Sequence, residues 1–77
     1  MSAAEIIAAL DAETAKAADA PTSLVSVTLD VVGEGQPEKT EVQIVRATKS
    51  LVFSTAEARD ANGARVIAAS AVHKILR

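Results

Sequence analysis

The stretch AALDAETAKAA, Ala8 to Ala18, sets a single carboxylate, Asp11, among small apolar residues. A carboxylate held within hydrogen-bond reach of a reacting atom acts as a general base on water or as a nucleophile. The same group at the wet edge of a helix is only a solvated charge. Glu13 and Thr14 follow closely. Glu13 stands three residues before Lys16, which suits a surface ion pair worth a few tenths of a kcal/mol. Thr14 falls on the apolar side and is expected to face the core. His73 is the only histidine, and there is no cysteine. A thiolate metal site and a multi-His site within one chain are therefore excluded, and no cofactor is expected. His73 alternates with Ala69 and Ala71 and has no obvious carboxylate partner, so a surface or sheet-edge position is expected. Gly33 and Gly35 lack the strand-to-helix context of a phosphate loop and read as a turn.

These groups need elements to hold them. Ser2 and Glu5 form a capping box, each side chain serving the other's backbone amide. Helix formers then continue to about Ala18. At roughly 100° per residue, Ala3, Ile6, Ile7, Leu10, Thr14 and Ala17 share one face, Ala9 lies opposite, and Asp11 sits at the border, about 40° from Ile7. Asp19-Ala20-Pro21-Thr22 is the exit turn.

From there the period becomes two. Val25, Val27, Leu29 and Val31 alternate with polar residues in a half-buried strand over Thr22 to Val32. Gly33 to Lys39 is a polar turn. A second strand, Thr40 to Arg46, buries Val42 and Ile44. A third, Ser50 to Arg59, points Leu51, Phe53, Thr55, Glu57 and Arg59 one way and Val52, Ser54, Ala56 and Ala58 the other. Asp60-Ala61-Asn62-Gly63 is a hairpin turn, because Asn-Gly tolerates positive φ. The last strand runs from Ala64 to about Leu76. Small residues in the middle of the last two strands imply that something bulky, one helix, lies across the sheet.

The chain has 77 residues, enough for one domain, 1–77. Phe53 is its only aromatic residue. Much of the 49% apolar fraction is alanine, so the core is thin and oligomerisation is expected. Eight basic and ten acidic residues are interspersed, for a net charge of −2. That excludes a broad nucleic-acid surface, as does the lack of stacking aromatics. No apolar run approaches a membrane span and no signal segment is visible, which leaves a cytoplasmic location.

The block VQIVRATKSLVFSTAEARDANGARVIAASAVHKIL resembles the hotdog-fold acyl-CoA thioesterases of the phenylacetate-pathway type. It carries a strand, the basic connection Arg46-Ala47-Thr48-Lys49, a strand, a D-x-x-G hairpin at Asp60 to Gly63, and a final strand rich in small residues. IIAALDAETAKAA resembles that family's central helix, and SLVSVTLDVV the strand after it. The resemblance implies an α+β reduced hotdog, with one central helix packed on a four-stranded antiparallel sheet. It further implies that Thr22 to Val32 lies beside the last strand while Thr40 to Arg46 forms the other edge.

Family members usually dimerise and place acyl-CoA at the subunit interface, so a homodimer or higher homo-oligomer and an acyl-CoA ligand are implied. The resemblance gives Asp11 the catalytic position, and it gives Arg46 and Lys49 the CoA phosphates. Two departures accompany it. Typical members have a further strand before the helix, whose absence leaves Thr40 to Arg46 as an open edge, and Glu38, Lys39, Glu41, Gln43 and Arg46 suit such an edge. Relatives also carry His-Gly-Gly at the helix start, where this chain has Ser2-Ala3-Ala4. The enzymatic expectation, an acyl-CoA thioester hydrolase, thus stands beside a second: a non-catalytic hotdog module that binds acyl-CoA or serves as an assembly subunit.

Overall fold

The alanine-rich segment forms one helix, α1, Ala3–Ala18, in a computed structural model that describes residues 3–76. The capping box lies partly on Ser2, outside the described residues. The helix ends where Asp19 turns left-handed, at φ 52°. The Asp19 amide then donates to the Lys16 carbonyl at 3.3 Å and the Ala20 amide to the Ala15 carbonyl at 3.4 Å. This pairing closes the last turn and satisfies two otherwise free carbonyls. Pro21 follows, and the chain enters the sheet.

Four strands follow: β1, Thr22–Val31; β2, Lys39–Ala47; β3, Leu51–Arg59; and β4, Arg65–Ile75. They pair antiparallel in the order β1-β4-β3-β2, which puts β1 and β2 at the edges as expected. The helix lies across one face and touches all four strands. Ile6 and Leu10 are fully buried against Ala56 and Ala58 of β3 and Ala69 and Ala71 of β4. The alanines make room, and the two large side chains fill it. Each contributes roughly 1.5–3 kcal/mol by leaving water. Val27, Leu29, Val42 and Ile67 close the rim of this core.

Three expectations about faces need correction. Val25 and Val31 do not join the buried side of β1, being 60% and 79% exposed. Val25 is the extra residue of a bulge between Leu24 and Ser26, which moves it out of the alternation. Val31 lies at the end of an edge strand, opposite Ile67, where less of the helix covers it. On the helix, Ala3 and Ala17 are exposed and Ala9 is half-buried, so the packed stripe is narrower and centred on Ile6, Leu10 and Thr14.

The β3–β4 hairpin turns as the Asn-Gly signal requires, but Gly63 alone takes positive φ, at 84°. The Asp60 carboxylate fixes the turn by accepting from the amides of Asn62 at 2.9 Å and Ala64 at 3.0 Å. Among the described residues, no helix is long and apolar enough to cross a membrane.

Candidate functional site

Asp11 sits midway along α1, where the helix passes over the end of the sheet. The paired residues Leu24, His73 and Val52 form one row across β1, β4 and β3 there, all facing the helix. His73 is 1% exposed, and its Nε2 lies 2.6 Å from Asp11 Oδ1. A carboxylate only accepts, so the ring donates its Nε2 proton. The Asp11 side chain is 50% exposed. Beside it runs an open groove of about 530 Å³, lined by Ala8, Asp11, Ala12, Ala15, Thr22 and Leu24, with Pro21 at its end. The arrangement is a carboxylate anchored from behind by a buried imidazole and open in front to a small, mostly apolar cleft.

The expected surface or edge position for His73 is therefore wrong. Its inward register with Ala69 and Ala71 was visible in the sequence. Its partner was not, because Asp11 lies 62 residues away on another element.

Three buried polar atoms have no hydrogen-bond partner among the described residues: His73 Nδ1, Thr14 Oγ1 and Ser54 Oγ. All lie between helix and sheet. Thr14 is core-facing, as expected. Ser54 stands on the strand next to His73, but at 1% exposure its hydroxyl cannot reach a substrate as a nucleophile. Glu13 and Lys16 are both exposed and form no ion pair with each other, contrary to expectation.

The two basic residues separate. Lys49 lies in the β2–β3 turn, at the same end of the sheet as His73. Arg46 pairs with Phe53 and so points to the sheet face turned away from the helix. A bulge at Val45 sets this direction. Asp11 and Lys49 thus share one end of the molecule, while Arg46 belongs to the opposite face. No group of three or more metal-ligating side chains occurs among the described residues.

Comparison with solved structures gives an X-ray structure of a protein from the thioesterase superfamily, with a TM-score of 0.76 at 20% sequence identity. The match covers 86% of this chain and 52% of that one, so the chain spans about half the length of the protein it matches. The fold is a reduced hotdog. No family model and no curated protein matches the sequence. In the hotdog frame α1 is the central helix, and the groove beside Asp11 opens between that helix and the edge strand β1.

Proposed function

We propose that this hotdog chain is thioesterase-like, with Asp11 as the general base for hydrolysis of an acyl-CoA thioester bound in the groove between α1 and β1. The observation that carries the reading is the 2.6 Å bond that holds the half-exposed Asp11 carboxylate on the buried His73. A base must be fixed in position and still reach water, and this one is. Asp11 Oδ2 takes a proton from water, whose oxygen attacks the thioester carbon. The tetrahedral intermediate expels the thiolate as the C–S bond breaks, and the thiolate recovers the proton from Asp11. Ala8, Ala12, Ala15 and Leu24 offer an apolar wall to the acyl chain. The position of Lys49 at the same end of the sheet supports a contact with the CoA phosphates, as a point charge on a flexible stem.

The oxyanion needs amide donors within about 3 Å of the same carbonyl. The amide of Ala3, at the start of α1, lies eight residues before Asp11, about 12 Å along the axis. It is too far to serve the same thioester as Asp11 of its own copy, so in this reading a second copy supplies the amide donors. The edge of β1 suits that pairing, because Val25 and Val31 are exposed there and Asp30 is the strand's only charge. The same distance favours a second reading where no such partner forms: a module that binds acyl-CoA, or joins an assembly, without hydrolysis.

Thiol release from a panel of acyl-CoAs tests the proposal. The expected result is turnover by the wild type that Asp11→Asn abolishes. Turnover unchanged in Asp11→Asn would sink the assignment of the base. No turnover by the wild type, with measurable CoA binding, would support the module instead.

A further inference from the structure

Ile6, Leu10 and Thr14 follow one another along the buried stripe of α1, and the first two fill the space left by the alanines of β3 and β4. Thr14 brings less volume to that stripe. A leucine exceeds a threonine by more than the roughly 30 Å³ that one water takes up in the liquid. Helix side chains lean toward the N-terminus, so Thr14 leans back toward the level of Asp11, and with it toward His73. The sheet face under the helix is polar at the same place. His73 of β4 pairs with Val52, and Ser54 stands two residues beyond Val52 on β3, paired with Ala71. His73 and Ser54 are therefore diagonal neighbours on the covered face, with main chains roughly 7–8 Å apart.

All three side chains are sealed from solvent, at 0% exposure for Thr14 and 1% for Ser54 and His73. Each holds one polar atom that has no partner among the described residues: Thr14 Oγ1, Ser54 Oγ and His73 Nδ1. Buried polar atoms nearly always have a partner, and where the protein supplies none an internal water does. The proton inventory suits a single water. Nε2 gives its proton to Asp11 Oδ1, so Nδ1 of the neutral ring is an acceptor. A hydroxyl donates one proton and accepts through its lone pairs. One water can give a proton to Nδ1, give the other to one hydroxyl, and accept from the second hydroxyl. That makes three bonds, the usual number for a buried water. A cation fits less well, because none of the three groups carries a negative charge to offset its desolvation.

We infer that one water is bound between α1 and the sheet by His73 Nδ1, Ser54 Oγ and Thr14 Oγ1, and that it fixes the ring on which Asp11 is held. Asp11 sets one side of the imidazole and the water sets the other. A ring flipped about its Cβ–Cγ bond would turn a carbon toward Asp11 and a carbon toward the water, so both bonds oppose the flip. The same two bonds select the tautomer with its proton on Nε2. Ser54 and Thr14 are thus positioning residues, acting on Asp11 through His73 while buried away from any substrate. Their effect on hydrolysis rests on the reading of Asp11 as the base. The water site itself does not.

A crystal structure of the full chain tests the site directly: an ordered water should lie within about 3.2 Å of all three atoms. Stability tests it by sign. Thr14→Val keeps the shape and helix propensity of threonine, and Ser54→Ala removes only a hydroxyl. With the water in place, each change should lower Tm by about 4–8 °C at one fixed protein concentration. Hydroxyls buried dry would give the opposite, a rise in Tm. His73 is the only histidine, so a long-range proton–nitrogen NMR spectrum reads its ring without ambiguity. Nε2 should be protonated and Nδ1 not, and the Nδ1 resonance should move downfield in the Thr14→Val, Ser54→Ala double variant as its bond is lost. A crystal without that water, a Tm that holds or rises in both single variants, or an unmoved Nδ1 resonance would each overturn the water site. Where the wild type turns over an acyl-CoA, Ser54→Ala should lower kcat and leave KM unchanged. An unchanged kcat would overturn the positioning role. A wild type without turnover would remove the catalytic reading of Asp11 and leave the water site to stand or fall on the other three measurements.

Discussion

Replacing Asp11 by alanine should destabilise the protein, although alanine is the better helix former. His73 Nε2 belongs to a ring that is 1% exposed and has one partner, Asp11 Oδ1 at 2.6 Å. The ring's other nitrogen already has none among the described residues. Removing the carboxylate strands a buried donor, which costs about 1–3 kcal/mol. Asp11 is half exposed, so water entering its place recovers part of that. Alanine's higher propensity returns roughly 0.5 kcal/mol. A net loss of about 1–2 kcal/mol remains, or roughly 5–15 °C in Tm for a chain of this size. Asp11→Asn keeps an oxygen acceptor and loses only the charge, so its stability should fall between the two. Urea and thermal unfolding at one fixed protein concentration measure the order, since association shifts Tm. An Asp11→Ala variant as stable as the wild type would refute the argument that the bond anchors helix to sheet. Asparagine then separates roles: it should retain most of the stability and none of the proposed turnover.

Other substitutions probe the scaffold. Leu10→Ala opens a cavity against the alanine strands and should cost about 2–5 kcal/mol, enough to bring so small a domain near unfolding by circular dichroism. Asp19→Gly should raise the urea midpoint, because φ 52° costs a side chain roughly 1–2 kcal/mol and costs glycine almost nothing. Gly33→Ala should lower it, because the new Cβ would fall 2.4 Å from the backbone oxygen of Arg65, which cannot rotate away.

The elements were legible because two periods divide the chain cleanly. Ile6, Leu10 and Thr14 recur at helical spacing, and Val42 and Ile44, or Val52, Ser54, Ala56 and Ala58, recur at two. The alanines of β3 and β4 even announced the helix that fills the space above them. What periodicity could not supply was interruption of the period. The bulges at Val25 and Val45 each add one residue, and each changes the side on which neighbouring residues emerge. The candidate site was half legible for a related reason. Asp11 could be found from its own helix. His73 could not be joined to it, because their contact depends on how the helix lies across the sheet.

The separation of Arg46 from Lys49 gives the sharpest test of the proposed ligand. In sequence they resemble one basic cluster, three residues apart, and in the fold the Val45 bulge sends Arg46 to the far face. Lys49→Glu should therefore raise KM for a CoA thioester, by about tenfold if one charge-assisted phosphate contact worth about 1.4 kcal/mol is lost. It should leave KM unchanged for a thioester of a short thiol without phosphates. Arg46→Glu should leave both KM values alone. Initial rates on the two substrates, measured at one protein concentration, decide the matter. If Arg46→Glu raises KM for the CoA thioester as much as Lys49→Glu does, and the short thioester is unaffected, then the phosphates reach the outer face. The groove beside Asp11 would then be the wrong place for the acyl chain.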